Sequence, residues 1–271
     1  MDAQPPVTSG SVDVDGASLY YEERGSGAPV VLIHGGLASS AMWEPLLPDL
    51  VDHLRVITPD SRGHGRSTNP GGTLSYAQIA DDVAVLVASL GLFLPVVGGY
   101  SDGGQVALEL AVRHPGVAGA LIVGAAYPDF VSTGLREQSR AFLGADEAGV
   151  PDLAQVDAQL GDFAGVVKAW HPGGEARWTA LLHQTASMWL DYAGLTAEEI
   201  GGIQAPTLVF AGDRDDQEGR LDLAVSLYRS LPQGELGICP SADHFAPITP
   251  QRAGIHAAMI RDFAHRHSQG C

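Results

Sequence analysis

Residues 98–104 read Gly-Gly-Tyr-Ser-Asp-Gly-Gly, directly after the apolar strand Leu94–Val97 and directly before a helical pattern starting at Gln105. No other fragment constrains the fold as strongly. It places Gly-x-Ser-x-Gly on a strand–turn–helix junction, a turn tight enough to hold a serine in a strained backbone conformation with its hydroxyl exposed at the end of a sheet. Glycines on both sides are needed because strand and helix approach too closely for a Cβ.

The rest of the chain has the rhythm that such a junction requires. Residues 11–23 form two short alternating segments joined by Asp15-Gly16, a hairpin signal, so the chain opens with antiparallel strands. Apolar runs follow at Val30–Ile33, Val56–Thr58, Val96–Val97, Leu121–Val123 and Leu208–Phe210. They are continuous rather than alternating, which predicts strands buried on both faces. Between them, Ser75 to Gln78 fits a capping box ahead of Ile79, Val83, Leu86, Val87 and Leu90 at helical spacing, with Gly91 as the stop. A second helix runs from Gln105 to His114 and ends at Pro115. The pattern predicts an α/β chain with a mostly parallel, doubly wound sheet and right-handed crossovers. Residues 127–203 break it with loosely periodic helical segments and no convincing strand. They read as a helical lid on one edge of the sheet, inserted into a single domain over 1–271 whose core is 1–126 and 204–271.

A serine hydroxyl is a poor nucleophile until a base takes its proton, so an oriented histidine is needed later in the chain. Gly212-Asp213-Arg214-Asp215-Asp216 follows the Leu208–Phe210 strand, and Asp243-His244-Phe245 follows the Glu235–Cys239 segment. Two further glycine turns, His34-Gly35-Gly36 and Asp60-Ser61-Arg62-Gly63-His64-Gly65-Arg66-Ser67, follow the third and fourth strands. Together these motifs resemble the α/β-hydrolase superfamily, and specifically its lid-bearing single-domain serine hydrolases, over nearly the whole length. The fold so implied is an eight-stranded, mostly parallel sheet with an N-terminal antiparallel hairpin.

The resemblance implies Ser101 as nucleophile, His244 as general base and acid, and Asp215, the aspartate of Gly-x-x-Asp, as the carboxylate that fixes the histidine tautomer. Asp213 and Asp216 read as solvated loop charges; some relatives place the acid after the sixth strand, where Asp129 stands. The implied oxyanion donors are the backbone N–H groups of Gly36 and Asp102. The side chain of Asp102 reads either as an acid favoured at a helix N-terminus or as a substrate contact pairing with a cationic or hydroxylated group, the latter implied by an elbow similar to that of valacyclovir-hydrolase-like members, because a carboxylate beside a developing oxyanion needs an offsetting partner. The implied activity is cofactor-independent cleavage of an ester, thioester, lactone or activated amide of a small to medium hydrophobic acyl compound. The alternatives are the same triad used for C–C cleavage, lyase chemistry or perhydrolysis, and a non-catalytic ligand receptor.

Composition narrows the field further. With 15 Lys+Arg against 32 Asp+Glu the net charge is −17, which opposes nucleic acid and anionic membranes. Lys168, the only lysine, follows Val167, so no Gly-Lys-Ser/Thr phosphate loop exists. Cys239 and Cys271 cannot form a thiolate metal site, and His34, His64, His265 and His267 lack ligand spacing, so no metal is expected. His34 and His64 read as residues that hold the mouth of the site. Trp170, Trp178, Met188 and Trp189 fit either a pocket lining or the packing of the lid. MDAQPPVTSG has neither a basic nor an apolar leader region, and the uncharged stretch Val83–Tyr100 is broken by Gly91, Pro95 and Gly98-Gly99. A cytoplasmic location is therefore the expectation, and the sequence specifies no oligomeric state.

Overall fold

The computed structural model describes residues 6–215, 220–246 and 249–268. Residues 1–5, Asp216 and Cys271 lie outside the described residues. Strands β1 (Thr8–Val14) and β2 (Ala17–Arg24) pair antiparallel. Asp15 and Gly16 both take positive φ, 31° and 74°, as a two-residue hairpin turn of this hand requires. There follow β3 (Ala28–Ile33), the short α1 (Leu47–Leu50), β4 (Leu54–Pro59), α2 (Tyr76–Ser89), β5 (Val96–Tyr100), α3 (Asp102–Arg113) and β6 (Ala120–Gly124). The insertion holds α4 (Leu135–Leu143), α5 (Leu153–Leu160), α6 (Ala164–Ala169), α7 (Gly174–Asp191) and α8 (Ala197–Gly201). The chain then resumes with β7 (Thr207–Gly212), α9 (Arg220–Ser230), β8 (Gly234–Cys239) and α10 (Pro250–His267).

The eight strands form one sheet in the order β1-β2-β4-β3-β5-β6-β7-β8, parallel except where β2 meets β1 and β4. This is the expected mostly parallel sheet with a leading hairpin. The apolar runs are continuous because both faces are covered. Val31, Ile33, Val97, Leu121, Val123 and Val209 pack toward α2, α3 and α9, while their neighbours Val30, Leu32, Val96, Ile122 and Phe210 pack toward α1 and α10. Burying such side chains contributes roughly 1.5–3 kcal/mol each, so the sheet is the rigid platform from which the loops at its carboxyl ends project.

Three features differ from the sequence reading: strand β5 runs on through Gly98 and Gly99 to Tyr100 instead of ending at Val97, and the elbow helix and the insertion are placed differently. Helix α3 begins at Asp102 rather than Gln105, because the elbow turns straight into the helix with no intervening loop. The insertion leaves the sheet between β6 and β7, which are neighbours inside the sheet, so it stands over the carboxyl ends of the strands and not on an edge. Its last helix, α8, packs on α3 and α9 and so joins the layer that covers the sheet. No helix of the described residues is long and apolar enough to cross a membrane.

Candidate active site

Ser101 sits between β5 and α3 with φ 55° and ψ −119°, a region that costs a non-glycine residue on the order of 1–3 kcal/mol. The packing around it sustains that strain. A Cβ on Gly99 would lie 2.4 Å from the Ile33 carbonyl oxygen, and one on Gly103 would lie 2.0 Å from the same atom. The two outer glycines of Gly-x-Ser-x-Gly thus let the elbow press against the end of β3. The Ser101 N–H donates to the Gly124 carbonyl at 2.7 Å, fixing the turn from the β6 side.

Register between β7 and β8 delivers the other two members. Gly212 pairs with Cys239, and the loops beyond are laced together: Asp213 N–H donates to Cys239 O at 3.0 Å and Arg214 N–H to Ala242 O at 2.9 Å. A Cβ on Gly212 would stand 2.0 Å from the Ala242 oxygen, so this close approach needs glycine. Asp215 and His244 consequently meet: His244 Nδ1–H donates to Asp215 Oδ2 at 2.9 Å, and His244 Nε2 accepts from Ser101 Oγ at 3.2 Å. With Nδ1–H held by the carboxylate, Nε2 is left with its lone pair toward the hydroxyl. The Asp215 side chain is 1% exposed.

The other aspartates are occupied elsewhere. Asp129 accepts from the Val131 and Ser132 N–H groups at 3.1 and 2.8 Å and so closes its own turn. Asp213 accepts from Ala242 N–H at 3.2 Å. Gly36 and Asp102 flank Ser101, and neither N–H is spent on a main-chain acceptor among the described residues. Asp102 opens α3, where an N–H has no intrahelical partner.

The Asp102 carboxylate is enclosed. Tyr76 Oη–H donates to Oδ1 at 2.8 Å and Trp189 Nε1–H to Oδ2 at 2.7 Å. Burial raises its pKa to about 6 despite those two bonds. A Cβ on Gly36 would fall 2.5 Å from Trp189 and 2.6 Å from the carboxylate, so the second turn glycine is required by this contact.

These groups open into a cavity of about 580 Å³, roofed by α4, α5 and α7 and lined largely by apolar and aromatic side chains such as Met42, Tyr127, Phe142 and Leu160. Trp170 and Trp189 line it, whereas Trp178 and Met188 are buried in packing clusters, 1% and 3% exposed. Among the described residues no group of three or more His, Cys, Asp or Glu is arranged to hold a metal ion.

The glycine turn of residues 60–67 is a buried polar knot beneath the site. Asp60 accepts from Ser40 N–H at 2.7 Å and Arg66 N–H at 2.8 Å, and Arg62 forks onto Asp82 at 2.8 and 2.5 Å with both side chains buried. His34 accepts from Ser61 N–H at 2.9 Å and donates to Gly35 O at 2.7 Å. The His64 ring lies between those of His34 and His171, with centroids 5.0 and 6.1 Å away and the planes tilted by 55° and 59°.

His171, which the sequence reading passed over, ties the insertion to both glycine turns. Its Nδ1 accepts from Gly65 N–H and its Nε2–H donates to Leu37 O, each at 2.9 Å. Leu37 directly follows Gly36 and holds a positive φ of 57°. Burial lowers the His171 pKa to about 4, so it is neutral when folded and protonates near 6.5 when unfolded. The unfolded chain therefore binds the extra proton between these values, and stability falls as pH drops below about 6.5. Denaturant unfolding of His171→Gln should lose less stability between pH 7 and pH 5 than the unaltered protein does, by up to about 2 kcal/mol. Equal pH slopes in the two proteins would refute this.

Comparison with known proteins agrees with the geometry. A family model described as the alpha/beta hydrolase fold matches residues 28–189. A non-heme haloperoxidase of Rhodococcus erythropolis is 31% identical over 85% of this chain and 90% of its own length. A 2-hydroxy-6-oxo-2,4-heptadienoate hydrolase of Pseudomonas putida is 26% identical over 92% and 93%. Among solved structures, a thermophilic esterase from Thermogutta terrifontis, malate bound, superposes with a TM-score of 0.74 at 25% identity, covering 98% of this chain and 100% of the other. A family match running from β3 through both glycine turns and the elbow into α7 makes this chain a member of the α/β-hydrolase fold family and an enzyme of that type.

Proposed function

We propose that the protein is a serine hydrolase that cleaves esters, or related thioesters, lactones and activated amides, of small to medium acyl compounds through a covalent acyl-enzyme. The observation that carries this reading is the unbroken hydrogen-bonded chain from Ser101 Oγ to His244 to Asp215, opening on an apolar cavity. Ser101 Oγ attacks the carbonyl carbon as its proton passes to His244 Nε2, and the same proton goes to the leaving oxygen as the C–O bond breaks. Water then attacks the acyl carbon as its proton passes to His244 Nε2, and that proton goes to Ser101 Oγ as the acyl–Oγ bond breaks and the acid leaves. In this reading the Gly36 and Asp102 N–H groups take the negative charge that develops on the carbonyl oxygen, a contribution of roughly 3–4 kcal/mol per donor at comparable sites. Helices α4 to α7 act as a lid that excludes bulk water.

The test is a fluorophosphonate adduct located by mass spectrometry, together with turnover of a short-chain ester panel. One adduct, on Ser101, with ester turnover is the expected result; no adduct and no turnover would remove the reading in favour of a ligand receptor.

The similarity to a protein named a haloperoxidase favours perhydrolysis as a second reaction of the same acyl-enzyme. Hydrogen peroxide would replace water, and a peracid would leave in place of the acid.

We also propose that Asp102 contacts substrate through the lone pairs left by Tyr76 and Trp189, taking a hydroxyl or ammonium group beside the scissile carbonyl. Its charge is then offset by the substrate. Asp102→Asn should lower the preference for hydroxyl- or amine-bearing esters over their plain analogues by about tenfold or more. An unchanged preference would leave Asp102 as a tether for Trp189 alone.

A further inference from the structure

Arg220, the first residue of α9, lies in the cavity wall on the Asp215 side of His244. Most arginines with carboxylate partners here are served at close range: Arg62 on Asp82, Arg55 on Glu23, Arg113 on Asp81 and Arg266 on Glu235 all make two bonds of 3.0 Å or less. Arg220 is not. Its Nη1 stands 3.5 Å from Asp215 Oδ1, a long contact with a carboxylate already engaged by His244. The same Nη1 is 3.2 Å from His244 Nδ1, which points its own hydrogen at Asp215 and so offers no lone pair. Nη2 donates to Gln138 Oε1 at 3.2 Å, and Nε is buried with no partner among the described residues. A guanidinium has five donors, and with the side chain 19% exposed those of Arg220 are only partly met among the described residues. A largely desolvated cation with unfilled donors is costly unless an anion completes it.

From this geometry we infer that Arg220 anchors a carboxylate carried by the substrate, so that the enzyme acts on short acyl compounds bearing a free acid, such as half-esters of dicarboxylic acids. The planar fork of arginine matches a carboxylate in two parallel bonds. The position is right for one: His244 separates the guanidinium from Ser101, so an acid bound there belongs to the molecule whose carbonyl is under attack. The inference rests on the acyl-transfer reading, and it assigns the acid end of the substrate to the side of the cavity where Asp215 and His244 stand.

The experiment compares monoethyl with diethyl succinate, by titration of released acid, in the unaltered protein, Arg220→Met and Arg220→Lys. The unaltered protein should favour the half-ester. The ratio of its kcat/KM to that of the diester should fall about 30-fold or more in Arg220→Met and recover in part in Arg220→Lys, where a charge without the fork remains. Calorimetric binding of succinate to Ser101→Ala, with Arg220 present or replaced by methionine, reads the same contact without turnover; at least a tenfold loss of affinity is expected. A ratio and a succinate affinity that both ignore Arg220 would overturn the inference and leave the arginine as a support for Asp215. Turnover of the diester by the unaltered protein, with an adduct on Ser101, tests the acyl-transfer reading separately.

Discussion

Replacing Ser101 by alanine should lower kcat for any ester substrate by about 10⁶-fold and abolish fluorophosphonate labelling, while the folded structure persists. The size follows from the arrangement. On the proposed acyl-transfer reading Ser101 carries the bond-forming oxygen, and its hydroxyl, 3.2 Å from His244 Nε2, is the proton donor that nitrogen faces among the described residues. Without the hydroxyl, only water in the cavity can attack, aided by the Gly36 and Asp102 N–H groups; such remnants leave about 10³–10⁴-fold over the uncatalysed rate. Stability should not fall, because a strained serine at φ 55° is replaced by a residue with the same Cβ and no buried partner is lost except the His244 contact. Single-turnover kinetics with an activated ester is the measurement. A residual rate within tenfold of the parent would mean that chemistry runs elsewhere.

The second large effect is expected at Asp215. Asp215→Asn should reduce kcat about 10⁴-fold with little change in KM. Asparagine can turn its amide N–H₂ toward Nδ1, which then keeps the lone pair and leaves the proton on Nε2. A protonated Nε2 cannot accept from Ser101 Oγ, so the base is present but in the wrong tautomer. Asp129→Asn is the control, because that carboxylate only closes the turn at Val131 and Ser132 and should leave kcat within about twofold. If the Asp129 variant were the inactive one, the acid would have to be reassigned to the loop after β6.

The reach of the sequence is clearest where stereochemistry is local. The elbow at Gly98–Gly104, the Asp15-Gly16 hairpin and the Ser75 cap each have their cause within a few residues: a positive φ, a missing Cβ or a free N–H. Strand burial was legible for a similar reason, since only a strand covered on both faces can carry Val30 to Ile33 without a polar residue.

The insertion was less legible. Met188 and Trp189 are adjacent, yet the first packs against the covering layer and the second lines the cavity and reaches Asp102. One residue step on a helix turns the side chain by about 100°, so the outcome depends on how α7 is rotated against its neighbours, which apolar content does not encode. Its position over the strand ends was missed because it depends on where β6 and β7 fall in the sheet order, and hydropathy says nothing about order.

His171 and Arg220 mark the same limit from the polar side. Each meets a partner far along the chain: His171 reaches Leu37 across 134 residues, and Arg220 reaches Gln138 across 82. Neither stands in a motif that announces a role. The sequence by itself determined a mostly parallel sheet, a serine on an elbow and a late histidine, because those follow from local backbone geometry and burial on two faces. The tertiary structure alone decided which tryptophans face the cavity and which partners among the described residues His171 and Arg220 meet. Those outcomes depend on side-chain directions across elements brought together by packing.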